Sequence, residues 1–138
     1  MIRLRSWDDF QKVMREGEIV SRSQFFVLHL TTDEKFSSDL NLSQKPLHSD
    51  RSNNEVQMRA GALVPKRWAK RAVTRNTLKR LIYAHLELNE LFWPKTHVMV
   101  IRLKKEIGKN EFISATSSHL KTTINADLTE LFKKVQTL

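Results

Sequence analysis

The sequence predicts one domain of the α+β class. Its 138 residues are enough to bury a single core and too few for two, and helix-periodic segments alternate along it with short apolar runs of strand type. Hydrophobic residues make up 40% of the chain, in runs of only a few residues. No segment approaches the roughly 20 needed to span a bilayer. The first ten residues, MIRLRSWDDF, have basic side chains but neither an apolar stretch nor a small-residue cleavage site, so they do not read as a secretory signal. The absence of cysteine excludes disulfides, thiolate metal sites and a cysteine nucleophile together. These features describe a basic domain expected in the cytoplasm.

The first element is a short amphipathic helix over about 7–16. Ser6 is placed as its N-cap, Asp8 and Asp9 lie in the first turn where carboxylates favour the macrodipole, and Gly17 is placed to end it. Phe10, Val13 and Met14 recur at helical spacing. Phe25 to Leu30 is rich in aromatic and aliphatic residues and predicts a strand that Thr31 and Thr32 extend. From Thr31 to Gln57 the composition turns to Ser, Asn, Asp, Lys and Gln without a sustained period, which predicts a polar, flexible hairpin insertion. Arg59 to Val64 reads as the strand returning from it, closed by Pro65.

A long helix follows over about 69–91. Its faces separate at 100° per residue: Thr74, Leu78, Leu81, Ile82, His85 and Leu88 towards the sheet, and Ala72, Asn76, Lys79 and Tyr83 away from it, with Arg80 beside them and Arg75 at the boundary. Pro94 separates it from His97 to Leu103, a nearly continuous apolar run of the kind found in buried central strands. Leu120, Ile124, Leu128, Leu131, Phe132 and Val135 then form a helical stripe to the C-terminus.

The formal charge is +9, from 24 Lys+Arg against 15 Asp+Glu. Between Val56 and Leu86 there is no acidic residue, whereas Arg59, Lys66, Arg67, Lys70, Arg71, Arg75, Lys79 and Arg80 supply eight cations. Solvated surface charge is ordinarily mixed in sign, so a one-signed stretch of this length points to a polyanion, nucleic acid above all. Catalytic chemistry is harder to find. His29, His48, His85, His97 and His119 are scattered without ligand spacing, adjacent Asp8 and Asp9 point about 100° apart on a helix, and three glycines provide no phosphate loop.

Residues 61–82, GALVPKRWAKRAVTRNTLKRLI, carry a more specific signal. They resemble the protein component of bacterial ribonuclease P, whose pattern is a strand ending in V-x-K-[KR], a cationic linker, and A-x-x-R-N-x-[IL]-K-R-L on the next helix. Here these are Val64 to Arg67 and Ala72 to Leu81. Asp9 to Val13 with Gly17, and Gln24-Phe25, also fit that family. Two departures stand out: Thr77 takes the place of the second arginine of the usual Arg-Asn-Arg, and Tyr83-Ala84 the place of a following Arg-Glu pair.

The resemblance implies a two-layer αβββαβα sandwich with a left-handed βαβ crossover, the fold also called ribosomal S5 domain 2-like, spanning 1–138 as one RNA-binding domain with its insertion at about 31–57. It further implies a subunit of an endoribonuclease whose catalytic RNA and associated Mg²⁺ remove the 5′ leader of precursor tRNA, the protein alone being non-catalytic and holding no cofactor. The implied partners are the ribonuclease P RNA and precursor tRNA, with no membrane and no obligate protein partner. On this reading Lys66, Arg67, Lys70, Arg71, Arg75, Asn76, Lys79 and Arg80 bind RNA: arginine forks a phosphate, lysine acts as a point charge, and asparagine bridges to a sugar hydroxyl, a phosphate or a metal-bound water. An arginine in such a run can instead cap carbonyls within the fold.

A single-stranded leader needs a groove combining cations with apolar or stacking side chains, which the resemblance puts between the long helix and one sheet face. Matching the family's core positions to Phe25 and Val27 leaves Phe26 and Leu28 for that groove, together with Phe10, Met14 and Tyr83; the alternative is that the apolar residues are all core, an equal reading for Phe10 and Met14. Trp68 reads as a cover for the helix start, and Trp7 and Trp93 as packing residues. Two rival readings share the charge pattern, a ribosomal-type RNA-binding protein and a DNA-binding regulator that reads the major groove with the long helix. The regulator lacks the short helix and tight turn that should precede a recognition helix.

Overall fold

A computed structural model describes residues 1–38, 57–107 and 118–136. In chain order the elements are β1 (Ile2–Arg3), α1 (Trp7–Glu16), β2 (Glu18–Arg22), β3 (Phe26–Thr32), α2 (Asp33–Ser38), β4 (Arg59–Leu63), α3 (Ala72–Asn89), a 3-10 turn (Glu90–Phe92), β5 (His97–Leu103) and α4 (Ser118–Gln136). The five strands form one mixed sheet in the order β1-β4-β5-β3-β2, giving an α+β domain. The apolar run at 97–103 is indeed the central strand, parallel to β4 and antiparallel to β3.

This topology revises the insertion. β3 and β4 are separated by β5 and do not pair, so the segment between them is a connection across the sheet and no hairpin. Its start is ordered as α2, which lays Phe36 into the core; residues 39–56, including His48, lie outside the described residues. Two strands were not located from the residues, although the αβββαβα order implies one of them. β2 is a polar edge strand with an irregular register at Ile19/Ser21, and β1 is two residues long. Both need a neighbour to define them.

Each face of the sheet has its own core. Phe26, Leu28, Met99, Ile101, Leu103, Ala60 and Ala62 face α3 and α4, meeting Leu78, Ile82 and Leu86 of one helix and Leu120, Ile124, Leu128 and Leu131 of the other. His85 Nε2 lies 3.0 Å from Asn125 Oδ1, and its ring stacks on Phe132, tying the two helices together. The opposite face is covered in part by α1 and α2, where Phe10, Val13 and Phe36 meet Leu4, Val98 and Val100. Leu88, placed by periodicity on the packed side of α3, is instead 73% exposed, because the helix outruns the sheet at its C-terminal end.

Local chemistry seats α1. The Ser6 hydroxyl accepts from Asp9 N at 3.1 Å, and Gly17 N donates to Val13 O at 2.8 Å, as the capping signals predict. A Cβ on Gly17 would lie 2.5 Å from Leu30 O and 2.6 Å from Val13 O, so only glycine lets the chain pass from α1 into β2 here. Gly61 plays the matching part in the sheet: the Phe10 ring rests against it, leaving no space for a Cβ.

Candidate nucleic-acid interface

The eight predicted RNA-binding residues divide between two places. Lys66, Arg67, Lys70 and Arg71 belong to the linker between β4 and α3, whereas Arg75, Asn76, Lys79 and Arg80 belong to α3. All are exposed except Arg75, which is half-buried. Thr74, Leu78 and Ile82 bury the other side of α3, so helical spacing alone turns Asn76, Lys79 and Arg80 outward.

Arg75 follows the alternative noted for a basic run. Its Nη1 donates to Ala69 O at 3.0 Å and Lys70 O at 2.9 Å. Arg71, at the N-cap of α3, gives no side-chain capping bond. Arg75 thus clasps the linker that carries the other cations.

Two of the residues expected to line a leader groove lie in the core instead. Phe26 and Leu28 are fully buried beneath α3 and α4 and cannot line it. The cause is the turn before β3. Asp127 of α4 accepts from Ser23 Oγ at 2.6 Å, Gln24 N at 3.1 Å and Phe25 N at 3.0 Å, holding Phe25 in the same core as Phe26. Alternation starts only with Phe26, so Val27 and His29 point to the other face. The helix α3 packs directly on the face of Phe26 and Leu28, through Leu78, Ile82 and Leu86. A cleft of about 650 Å³ opens on the opposite face instead, lined by Trp7 and Met14 of α1, Leu63 of β4, Arg102 of β5, and Pro65, Lys66 and Arg67 of the linker.

Of the other residues expected to line a groove, Met14 lines this cleft, Phe10 of α1 is buried against the sheet, and Tyr83 stands across the molecule on α3. Trp7, expected to pack, is 56% exposed at the groove wall and presents an indole on which a base can stack. Trp68 does pack: it is half-buried against the main core, and its carbonyl accepts from Ile107 N at 2.7 Å.

Arg102 was not singled out by the sequence, nor was His29. Their signal was present as single polar residues inside apolar strand runs. Arg102 Nε donates to His29 Nε2 at 3.2 Å, so His29 is neutral and carries its proton on Nδ1. Burial, then the charges of Arg102 and Arg22, push the His29 pKa down from 6.5 to about 4. Burial and the charges of Arg67 and Arg22 lower that of Arg102 as well, though guanidinium stays protonated at any physiological pH. The groove therefore holds a half-buried cation steadied by a neutral imidazole.

A second cleft, of about 430 Å³, lies on α3 and is lined by Asn76, Lys79, Arg80, Tyr83, Ala84 and Glu87 together with Arg3 of β1. Among the described residues no group of three or more His, Asp or Glu stands close enough to hold a metal ion, and no helix is long and apolar enough to cross a membrane. The element before α3 is strand β4, not the short helix of a helix-turn-helix.

The ribonuclease P family model matches residues 1–135. The chain belongs to that family. Members of the ribonuclease P family also share its fold. The Staphylococcus aureus ribonuclease P protein superposes with a TM-score of 0.60 at 18% identity, covering 96% of this chain and 94% of that one. The Thermotoga maritima ribonuclease P protein gives 0.60 at 22% identity, covering 97% of each chain, and its complex with 1-(4-fluorophenyl)-2-thiourea gives the same score and identity with 95% and 97% covered. No curated relative matches in sequence. Family membership makes this chain the protein component of a ribonuclease P and implies a partnership with its RNA.

Proposed function

We propose that this chain binds the catalytic RNA of ribonuclease P through the polar face of α3 and holds the 5′ leader of precursor tRNA in the groove beside α1, promoting endonucleolytic removal of the leader in the cytoplasm. The observation that carries this reading is the linker: Lys66 and Arg67 wall the groove, and five residues after Arg67 the same segment becomes the cationic helix. Two anionic strands engaged by its two ends are held in a fixed relation.

Each side chain has a binding or orienting role. Lys79 and Arg80 offset phosphate repulsion between the two RNAs, Asn76 reaches a sugar hydroxyl, Trp7 and Met14 accept a base, and Arg102 meets the backbone beside it. Hydrolysis belongs to the RNA and the Mg²⁺ it holds. The test is cleavage of a leader-bearing precursor tRNA by a bacterial ribonuclease P RNA at limiting Mg²⁺, with and without this chain. Stimulation by the chain and no cleavage by protein alone are expected; a competent RNA that the chain fails to stimulate would overturn the reading.

A further inference from the structure

The cleft on α3 contains a residue that the basic run does not supply. β1 pairs with β4 in parallel, Ile2 beside Arg59 and Arg3 beside Ala60, through Ile2 N to Met58 O and Leu4 N to Ala60 O, both 2.8 Å. Leu4 is buried under α1, so alternation sends Arg3 to the α3 side. There its Cζ lies 4.0 Å from the centre of the Tyr83 ring. The Tyr83 hydroxyl accepts from Ala62 N at 3.2 Å, which fixes the ring as a platform. Arg3 Nη2 is 3.5 Å from Glu87 Oε1, longer than the roughly 2.7–2.9 Å of a tight charge-assisted bond. Both partners are about half exposed.

A guanidinium held over an aromatic ring by its central carbon still has N–H groups free to fork a phosphate. Lys79 and Arg80 line the same cleft, so three cations face one carboxylate. The ribonuclease P pattern has an arginine at position 83; this chain has a tyrosine there, and the guanidinium over it arrives from another strand.

We propose that Arg3, stacked on Tyr83, is an RNA phosphodiester-binding residue that extends the α3 face across to the sheet edge, with Tyr83 as its positioning residue and Glu87 as a weak competitor that orients Arg3 until RNA displaces it. The proposal rests on the reading of α3 as the RNA-binding face.

The experiment titrates full-length protein against a ribonuclease P RNA transcript without substrate, from 0.05 to 0.3 M salt. Each lost phosphate contact lowers the slope of log affinity against log salt by roughly one, which is about fivefold in affinity near 0.15 M. Arg3→Ala is expected to show that loss with an unchanged melting temperature, and Arg3→Lys to recover the slope. Tyr83→Phe, which keeps the ring but loses its tie to Ala62 N, should weaken binding less than Tyr83→Ala does, and the double Ala variant should be no weaker than Arg3→Ala. Glu87→Gln should tighten binding about twofold, an effect that a purely structural ion pair would not produce. Lys79→Ala with Arg80→Ala is the reference. If it weakens binding while Arg3→Ala and Glu87→Gln leave it unchanged, the Arg3 proposal falls alone; if it has no effect, the helix-face reading falls with it.

Discussion

On the polar face of α3, Lys79 and Arg80 extend into solvent from a helix anchored by Leu78 and Ile82. In the groove beside α1, Arg102 lies half-buried among Trp7, Met14, Leu63 and Pro65, and it needs the lone pair of His29 to hold its position. Cations on the helix act additively, are screened by salt and contribute little to folding. A cation worked into an apolar surface is coupled to the fold, because its partner must remain neutral. Variants of the helix should therefore change RNA affinity alone, whereas variants of the groove should change stability and binding together.

The largest expected effect sharpens that contrast. With its pKa lowered to about 4, His29 takes up no proton in the folded state at a pH where the unfolded state, near 6.5, already does. Its contribution is present above pH 6.5, is lost as pH falls towards 4, and levels off below, a difference of up to about 3 kcal/mol. His29→Gln keeps an acceptor for Arg102 but cannot titrate. Denaturant titrations between pH 7 and 4 should show the parent losing stability relative to this variant; parallel curves would mean that neither burial nor the charge of Arg102 holds the imidazole neutral.

Gly61 gives the next effect. A Cβ at this position collides with the Phe10 ring and stands 3.0 Å from Leu4 Cβ. Gly61→Ala should cost about 1–3 kcal/mol through overpacking, visible as a melting temperature lower by several degrees. Adding Phe10→Leu should return part of it. Binding of ribonuclease P RNA should be unchanged while affinity for the leader falls, because α1 is the element displaced. A stable single variant would break the link between α1 packing and the groove.

Lys79→Ala with Arg80→Ala tests the other side of the comparison. Loss of two phosphate contacts predicts about 25-fold weaker RNA binding near 0.15 M salt and a slope lower by roughly two, with an unaltered melting temperature. A destabilised double variant would show that these residues belong to the fold after all.

What could be seen in the sequence follows the same division. The capped helix at 7–16, the central strand at 97–103 and the outward face of α3 are set by residues close in sequence, through caps and periodicity, and all three appear as expected. The groove is assembled from α1, β4, the linker and β5, so no local period announces it. Its parity was further concealed by Asp127, which holds Phe25 in the core from more than a hundred residues away. β1 is invisible for a similar reason: two residues become a strand only because Met58 and Ala60 present carbonyls to their neighbours. Met14, Lys66 and Arg67 were legible as single residues, and His29 and Arg102, polar positions within apolar strands, left a fainter trace.

Arg75 yields the smallest expected effect and joins the two surfaces. By charge and motif it belongs with Lys79 and Arg80, but its Nη1 is committed to the carbonyls of Ala69 and Lys70. If it acts as a clasp, Arg75→Ala should lower stability by about 1 kcal/mol and weaken RNA and leader binding two- to threefold by loosening the segment that positions Lys66 and Arg67. The slope of log affinity against log salt should not change, since no phosphate contact is lost. A slope lower by roughly one would instead place Arg75 among the phosphate-binding residues. Salt dependence thus separates two roles that a single affinity cannot, at the residue where the helix face and the groove meet.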